Sequence, residues 1–148
     1  MKIIYSIIVI LVLAPISNGQ RNLGDEVPQA IELMREKRWI EAQIILFNIV
    51  DQMAERGEQL FGEKFGVVYY NKGYCELQLA KESKEVVKKN EYYKMASDSM
   101  KECFEIHMRA KKVHPKSLLY RAQAEQGLGN METAIELNKL FLEARSKK

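Results

Sequence analysis

Apolar residues recur at helical spacing along most of this 148-residue chain, and this periodicity limits the folds that it can adopt. The clearest stripe contains Trp39, Ala42, Leu46, Ile49 and Met53. Its members are three or four residues apart, as on the buried face of an amphipathic helix. The 8 glycines and 3 prolines are too few for the many tight turns of a β-sandwich or barrel. The sequence therefore predicts an all-α protein.

The composition is that of a folded chain with no dominant charge. Hydrophobic residues make up 47% and charged residues 29% of the chain, which supports a core of ordinary size and excludes a disordered or collagen-like chain. The net charge of +3 is too small to indicate a nucleic-acid or membrane-surface partner, because such partners usually leave a concentrated basic patch. We therefore expect one helical domain that binds no nucleic acid.

The first nineteen residues have the pattern of a secretory signal peptide. After an N-terminal lysine, an apolar run ends at Ala14, and small residues follow at Ser17 and Gly19. The run is shorter than the about 20 apolar residues of a membrane-spanning helix. We predict a signal peptide at 1–19, cleaved near Gly19, and a domain at 20–148 that is periplasmic or secreted and has no membrane span. An uncleaved anchor is the alternative.

Small residues recur at corresponding positions in successive helical stretches. A large apolar residue lies three positions before an alanine in the pairs Trp39 and Ala42, Tyr93 and Ala96, and Met131 and Ala134. Another small residue precedes each pair, at Ala30, Gly73 and Ala122. Small side chains at both points let two antiparallel helices approach closely, since bulky side chains would separate their axes. The pattern predicts three antiparallel helical hairpins.

The third copy resembles the tetratricopeptide repeat (TPR). Residues 118–137 carry the family's small residue, its Leu-Gly turn and the alanine that opens the second helix. The alanines of the three copies are 54 and 38 residues apart, whereas the family period is 34, so the resemblance requires insertions. Residues 60–76 also look like segments of long TPR proteins of bacterial envelopes. Over residues 23 to 146, the resemblance implies a short α-solenoid of about three stacked hairpins.

The resemblance also implies a protein-binding groove on the first helix of each hairpin. The positions that line this groove in the family correspond here to Val67, Tyr70, Tyr74, Leu77, Lys116, Leu119 and Gln123. Tyrosine suits an interface because its ring is apolar and its hydroxyl is polar. The alternative is that the hairpins bury these side chains against one another. The implied function is an exported adaptor or scaffold that binds another protein or a peptide segment; a self-associating helical module without a separate ligand is the alternative.

The sequence contains none of the common catalytic motifs. It lacks the Gly-x-Ser-x-Gly elbow, a phosphate-binding Gly-rich loop and the His-Glu-x-x-His zinc motif. Only Cys103 and His107 share a helix face, which is too few ligands for a zinc site. We expect His107 on a helix surface and His114 in a loop, with no metal, no cofactor and no enzymatic activity.

Two cysteines, Cys75 and Cys103, would form a disulfide only if the second hairpin brings them opposite each other. A turn near Asn90 does so, and asparagine is a good N-cap there. If Gly73 instead faces Ala96, the cysteines are offset by about 13 Å along the helix axis. A disulfide requires Cα atoms within about 7 Å. The sequence leaves both arrangements open, and the position of the turn decides between them.

Overall fold

Helices account for most of the chain that the computed structural model describes, which comprises residues 23–57 and 60–146. The helices of this part are α1 (Leu23–Arg35), α2 (Trp39–Arg56), α3 (Glu63–Glu82), α4 (Val86–Arg109), α5 (Pro115–Gly127) and α6 (Met131–Ser146). These described residues contain no strand, so the all-α prediction is confirmed for them. The predicted signal peptide at 1–19 lies outside the described residues.

Each helix packs against the next one along the chain, and α3 also contacts both α1 and α5. Short turns connect α1 to α2, α3 to α4 and α5 to α6. The α3–α4 pair is antiparallel, because Gly66 near the start of α3 lies against His107 near the end of α4, whereas Gly73 lies against Met100. Because α3 contacts both α1 and α5, the first, third and fifth helices lie side by side in that order.

The small residues of the repeated pattern lie at helix contacts. All six, Ala30, Ala42, Gly73, Ala96, Ala122 and Ala134, are buried. A Cβ atom placed on Gly73 would lie 3.0 Å from the Cβ atom of Ser99, which leaves no room for a larger side chain. The prediction that these positions are points of close helix approach therefore agrees with the packing.

Three helices end in the same hydrogen-bonded turn, a Schellman motif with one residue in the left-handed region. The left-handed residues are Lys37 after α1, Lys111 after α4 and Gly129 after α5. After α4, the Lys111 amide donates to the Met108 carbonyl and the Lys112 amide to the His107 carbonyl. Gly129 adopts its φ of 83° readily because it lacks a Cβ atom. This turn is the Leu-Gly turn of the repeat pattern.

One end of the interface between α2 and α3 is built around Trp39, the first residue of α2. Its indole Nε1 donates to Glu82 Oε1 at 2.9 Å, and its carbonyl oxygen accepts a hydrogen bond from the Cys75 thiol. The ring also contacts Tyr74 edge-on, with centroids 6.2 Å apart. These contacts fix the start of the first hairpin's second helix against the end of α3.

Two buried polar networks cross between helices. In the first, Lys72 Nζ on α3 lies 2.5 Å from Glu76 Oε1, and Ser99 Oγ on α4 donates to the other carboxylate oxygen at 2.7 Å. Burial raises the pKa of Glu76 above its usual value, against the opposing effect of Lys72. In the second network, Glu125 on α5 accepts hydrogen bonds from Ser97 on α4 and from Asn130. Both networks satisfy groups that would otherwise be costly to bury.

The cysteines are free thiols in the structure, so the disulfide arrangement is not present. The turn of the second hairpin lies between Glu82 and Val86, and Asn90 is inside α4 rather than at its cap. Gly73 faces Ser99 and Met100, three to four residues beyond Ala96. This register lies between the two that the sequence allowed, and it leaves the cysteines at different heights along the hairpin.

Candidate aromatic face and pocket

Tyrosines from α3 and α5 form an aromatic face. Tyr70 and Tyr74 are four residues apart and therefore lie on one side of α3. Tyr120 of α5 meets both, with ring centroids 5.1 Å from Tyr74 and 5.9 Å from Tyr70. All three side chains are half-buried. Burial, and next the neighbouring Tyr120, raise the pKa of the Tyr70 hydroxyl above its usual value, so it stays protonated and can donate a hydrogen bond.

Two histidines pack beside the aromatic face at the end where α5 begins. His114 lies 4.7 Å from Tyr70, and His107 lies 4.7 Å from His114, measured between ring centroids. His107 Nδ1 donates to the Cys103 carbonyl at 2.8 Å. The expectation that His107 lies on a helix surface is wrong, because the ring is buried against Gly66 of α3. Any side chain at position 66 would enter the space that the His107 ring occupies.

The His114 ring is half-buried. Its Nδ1 atom is buried and has no hydrogen-bond partner among the described residues. Burial, and next the nearby His107, lower the pKa of His114 below its usual value. The neutral imidazole therefore contributes an aromatic surface to the face at neutral pH.

A pocket of about 620 Å³ adjoins the aromatic face between α5 and α6. It is lined by Pro115, Lys116, Leu119, Tyr120, Phe141 and Arg145. The guanidinium of Arg145 lies 5.6 Å from the Phe141 ring centroid, as in a cation–π contact. The lining therefore combines an apolar floor with two cations and no carboxylate. Because Tyr120 belongs to both features, the face and the pocket form one continuous surface.

The structure brings together most of the predicted groove residues. Tyr70 and Tyr74 lie on the aromatic face, while Lys116 and Leu119 line the pocket. Val67 is exposed on α3. Gln123 accepts a hydrogen bond from Lys81 Nζ at 3.1 Å, which links α5 to α3 beside the face.

Leu77 is a correction to the predicted groove. Its side chain is fully buried with Ala96 of α4 and Ala124 of α5, beneath Tyr93 and Tyr120. Both small residues allow their helices to close over this part of α3. Leu77 is a core residue and has no surface to offer to a ligand.

Five residues of the surface were not among the predicted groove residues. They are Tyr120, His114, Pro115, Phe141 and Arg145. Tyr120 is next to Leu119 in the sequence, and its aromatic character was the signal that could have identified it. Phe141 and Arg145 come from α6 and reach α5 only because the third hairpin reverses the chain.

The thiols of Cys75 and Cys103 are both buried. Burial raises the pKa of Cys75 and of Cys103 to about 12 each, so both thiols are protonated and weakly nucleophilic at neutral pH. The part of the chain that the structure describes contains no cluster of three His, Cys, Asp or Glu side chains that could hold a metal ion. Within that same part, no helix has the length and apolar character needed to cross a bilayer.

The chain was compared with protein-family models, curated proteins and solved structures, and none of the three comparisons found a match.

Proposed function

We propose that this protein is an exported, TPR-like adaptor that binds a segment of another protein on its aromatic face and in the adjoining pocket. The observation that carries the proposal is the half-exposed row of Tyr70, Tyr74 and Tyr120, continuous with a pocket of about 620 Å³. A monomer gains little from leaving a row of large rings partly in water, whereas tyrosine is enriched at the centres of protein interfaces.

A TPR-like arrangement is supported by the order of helix contacts. The first helices of successive hairpins adjoin one another, since α3 contacts α1 and α5. The small residues that would permit this stacking are buried in all three hairpins. In repeat proteins of this kind, the first helices build an extended surface for partners.

The lining of the surface indicates what the partner segment contains. Rings of Tyr74 and Tyr120 favour aromatic or aliphatic side chains, through apolar burial and edge-on ring contacts. Lys116 and Arg145 favour a carboxylate at the pocket, because no acid among the lining residues neutralises them. We therefore expect a segment in which an acidic residue follows or precedes large apolar residues.

Selection of a phage-displayed library of random peptides against the immobilised protein tests this proposal. We expect selection to converge on peptides with large apolar and acidic residues. The double substitution Tyr74→Ala/Tyr120→Ala should weaken the binding of a selected peptide by about tenfold or more, since central aromatic anchors supply most of the binding energy. Val86→Ala, at an exposed position on the α3–α4 turn, is the control and should bind as the unaltered protein does.

The pocket cations provide a second test that leaves the three tyrosine rings unchanged. Lys116→Glu and Arg145→Glu change exposed side chains and should leave the helical circular dichroism unchanged while weakening acidic peptides. Equal binding by all variants would refute the proposed surface. If Tyr74→Ala/Tyr120→Ala unfolds the protein and the two charge reversals have no effect, the rings belong to the core alone.

Export is tested by sequencing the N-terminus of the protein made in a bacterial host with a general secretion pathway. We expect a chain that begins at or near Gln20 in the periplasmic fraction, because Ser17 and Gly19 suit signal peptidase. Recovery of a chain that begins at Met1 in the cytoplasmic or membrane fraction would contradict export.

Self-association is the second candidate, and an exposed stripe on α2 favours it. Ile40, Ile44 and Phe47 are exposed and lie on one helix face at spacings of four and three residues. Two copies could bury this stripe against each other. Light scattering coupled to gel filtration should then give a dimer that Ile44→Lys converts to a monomer; a monomer at all concentrations would exclude this candidate.

A further inference from the structure

The connections from α2 to α3 and from α4 to α5 meet at one end of the molecule. Lys112 Nζ, in the second connection, lies 2.7 Å from Glu63 Oε1 at the start of α3. The segments 60–64 and 108–116 therefore lie side by side, and we call them together the basic end.

The basic end holds the positive charge of the protein. Its cations are Lys64, Arg109, Lys111, Lys112 and Lys116, and all five side chains are exposed. The only acid within the two segments is Glu63. Five cations and one acid give a net +4 within the two segments, and Glu58 of the same α2–α3 connection reduces it to +3, which equals the charge of the whole chain. The rest of the chain is therefore neutral overall, and the positive charge becomes concentrated only when the folded chain brings the two connections together.

Large apolar side chains protrude among these cations. Leu60 is 71% exposed, Val113 is 52% exposed and Met108 is 48% exposed. They lie in or beside the two connections rather than on a helix face that a neighbouring helix could cover. Exposed apolar groups surrounded by cations are suited to insertion at the boundary between lipid headgroups and acyl chains.

The opposite end of the second hairpin lacks this combination. Val86 and Val87 are both 70% exposed there. Within residues 82–91, however, three lysines are balanced by three glutamates, and Lys88 is paired with Glu85 at 3.0 Å. This end matches the basic end in apolar exposure and differs in charge, so it provides an internal control.

We propose that the basic end is a peripheral docking surface for an anionic lipid bilayer. The lysines would approach acidic headgroups while Val113, Met108 and Leu60 enter the headgroup layer. A nucleic acid fits less well, because the aromatic residues of these segments are not free for base stacking. Phe61 packs against the core cluster that α1 to α4 share, and His114 is held between Tyr70 and His107.

Variants with one added tryptophan test the proposal in the full chain. Val113→Trp places an indole on the basic end, and Val86→Trp places one on the neutral end; the only native tryptophan, Trp39, is buried. We expect vesicles of phosphatidylcholine with 30% phosphatidylglycerol to shift the emission of Val113→Trp to shorter wavelength, while vesicles of phosphatidylcholine alone do not. The emission of Val86→Trp should not change. Residues 1–19 are the same in every variant, so the contrast between positions belongs to the surface.

Charge removal gives the second measurement. In the Val113→Trp background, Lys64→Gln/Lys111→Gln should weaken vesicle binding about thirtyfold, because each lysine near an anionic leaflet strengthens binding about fivefold. High salt should reverse the shift. Equal shifts at both reporter positions, or equal shifts with both vesicle types, would overturn the proposal. A shift produced by polyglutamate or by a single-stranded oligonucleotide, but not by anionic vesicles, would instead assign the surface to an acidic protein or to nucleic acid.

Discussion

At the scale of single residues, Gly66 sets the distance between α3 and α4. A Cβ atom on Gly66 would lie 2.5 Å from two ring atoms of His107. The imidazole cannot easily move away, because it is buried, hydrogen-bonded to the Cys103 carbonyl and in tilted ring contact with His114. The packing of α3 against α4 therefore requires a glycine at position 66.

Gly66→Ala should destabilise the protein. Overpacking costs about 1–3 kcal/mol, which outweighs the gain of about 1 kcal/mol that alanine brings to an unhindered helix position. Denaturant unfolding measures the loss. In the His107→Ala background the clash with the ring is gone and only the Ile106 Cγ2 methyl remains close, at 3.2 Å, so Gly66→Ala should there cost much less. A stabilising effect in the unaltered protein would show that the two helices are farther apart than described.

His114 predicts how stability depends on pH. Its pKa is lowered on folding, so the stability that it contributes is present above the usual histidine pKa of about 6.5 and is lost as the pH falls through the folded value. Between pH 7.5 and pH 5.5, the unfolding free energy of the unaltered protein should therefore fall more, or rise less, than that of His114→Gln. Glu76 is present in both proteins, so its own titration cancels in the comparison. An unchanged slope in His114→Gln would contradict the described burial of this ring.

At the scale of helices, the contact between α3 and α4 contains a buried carboxylate, Glu76, whose partners are Lys72 on α3 and Ser99 on α4. Lys72→Met would leave Glu76 uncompensated in the interior and should cost about 3–5 kcal/mol. Lys72→Met/Glu76→Leu should recover most of that loss, because no charge then remains buried. Chemical denaturation of the single and double variants measures both values.

The exposed pair Lys88 and Glu85 is the matched control for the buried one. Its side chains are in solvent, and exposed ion pairs contribute little to stability. Lys88→Met should therefore leave the unfolding midpoint essentially unchanged. A loss as large as that of Lys72→Met would mean that the two pairs do not differ in burial as described.

The helices themselves were predictable, because the spacing of apolar residues indicates helix and the small residues indicate where two helices pack closely. The stripe from Trp39 to Met53 became α2, and Gly73 and Ala96 are both buried as the hairpin pattern required. The register within the hairpin was not predictable in this way. It depends on where the turn falls, and the lysines and glutamates around residues 82–91 favour no single position.

At the scale of the whole molecule, the aromatic face and its pocket, which we propose as the binding surface, were only partly predictable. Helical spacing correctly placed Tyr70 and Tyr74 on one side of α3, but the same spacing included Leu77. The difference arises from α4 and α5, whose alanines at 96 and 124 close over Leu77. Likewise, Arg145 joins Lys116 only through the reversal of the third hairpin. Periodicity within one helix cannot show which parts of its face another helix covers.

The most direct test of the account is to map the binding of a phage-selected peptide by NMR. On titration, we expect saturable shifts of backbone amides along α3 and α5, centred on Tyr70, Tyr74 and Leu119, together with shifts at Arg145 of α6. The amides around Ile44 on the exposed α2 stripe should not move. Shifts confined to α2, or the absence of saturable shifts on α3 and α5, would contradict the central claim that the tyrosine face and its pocket bind a protein segment.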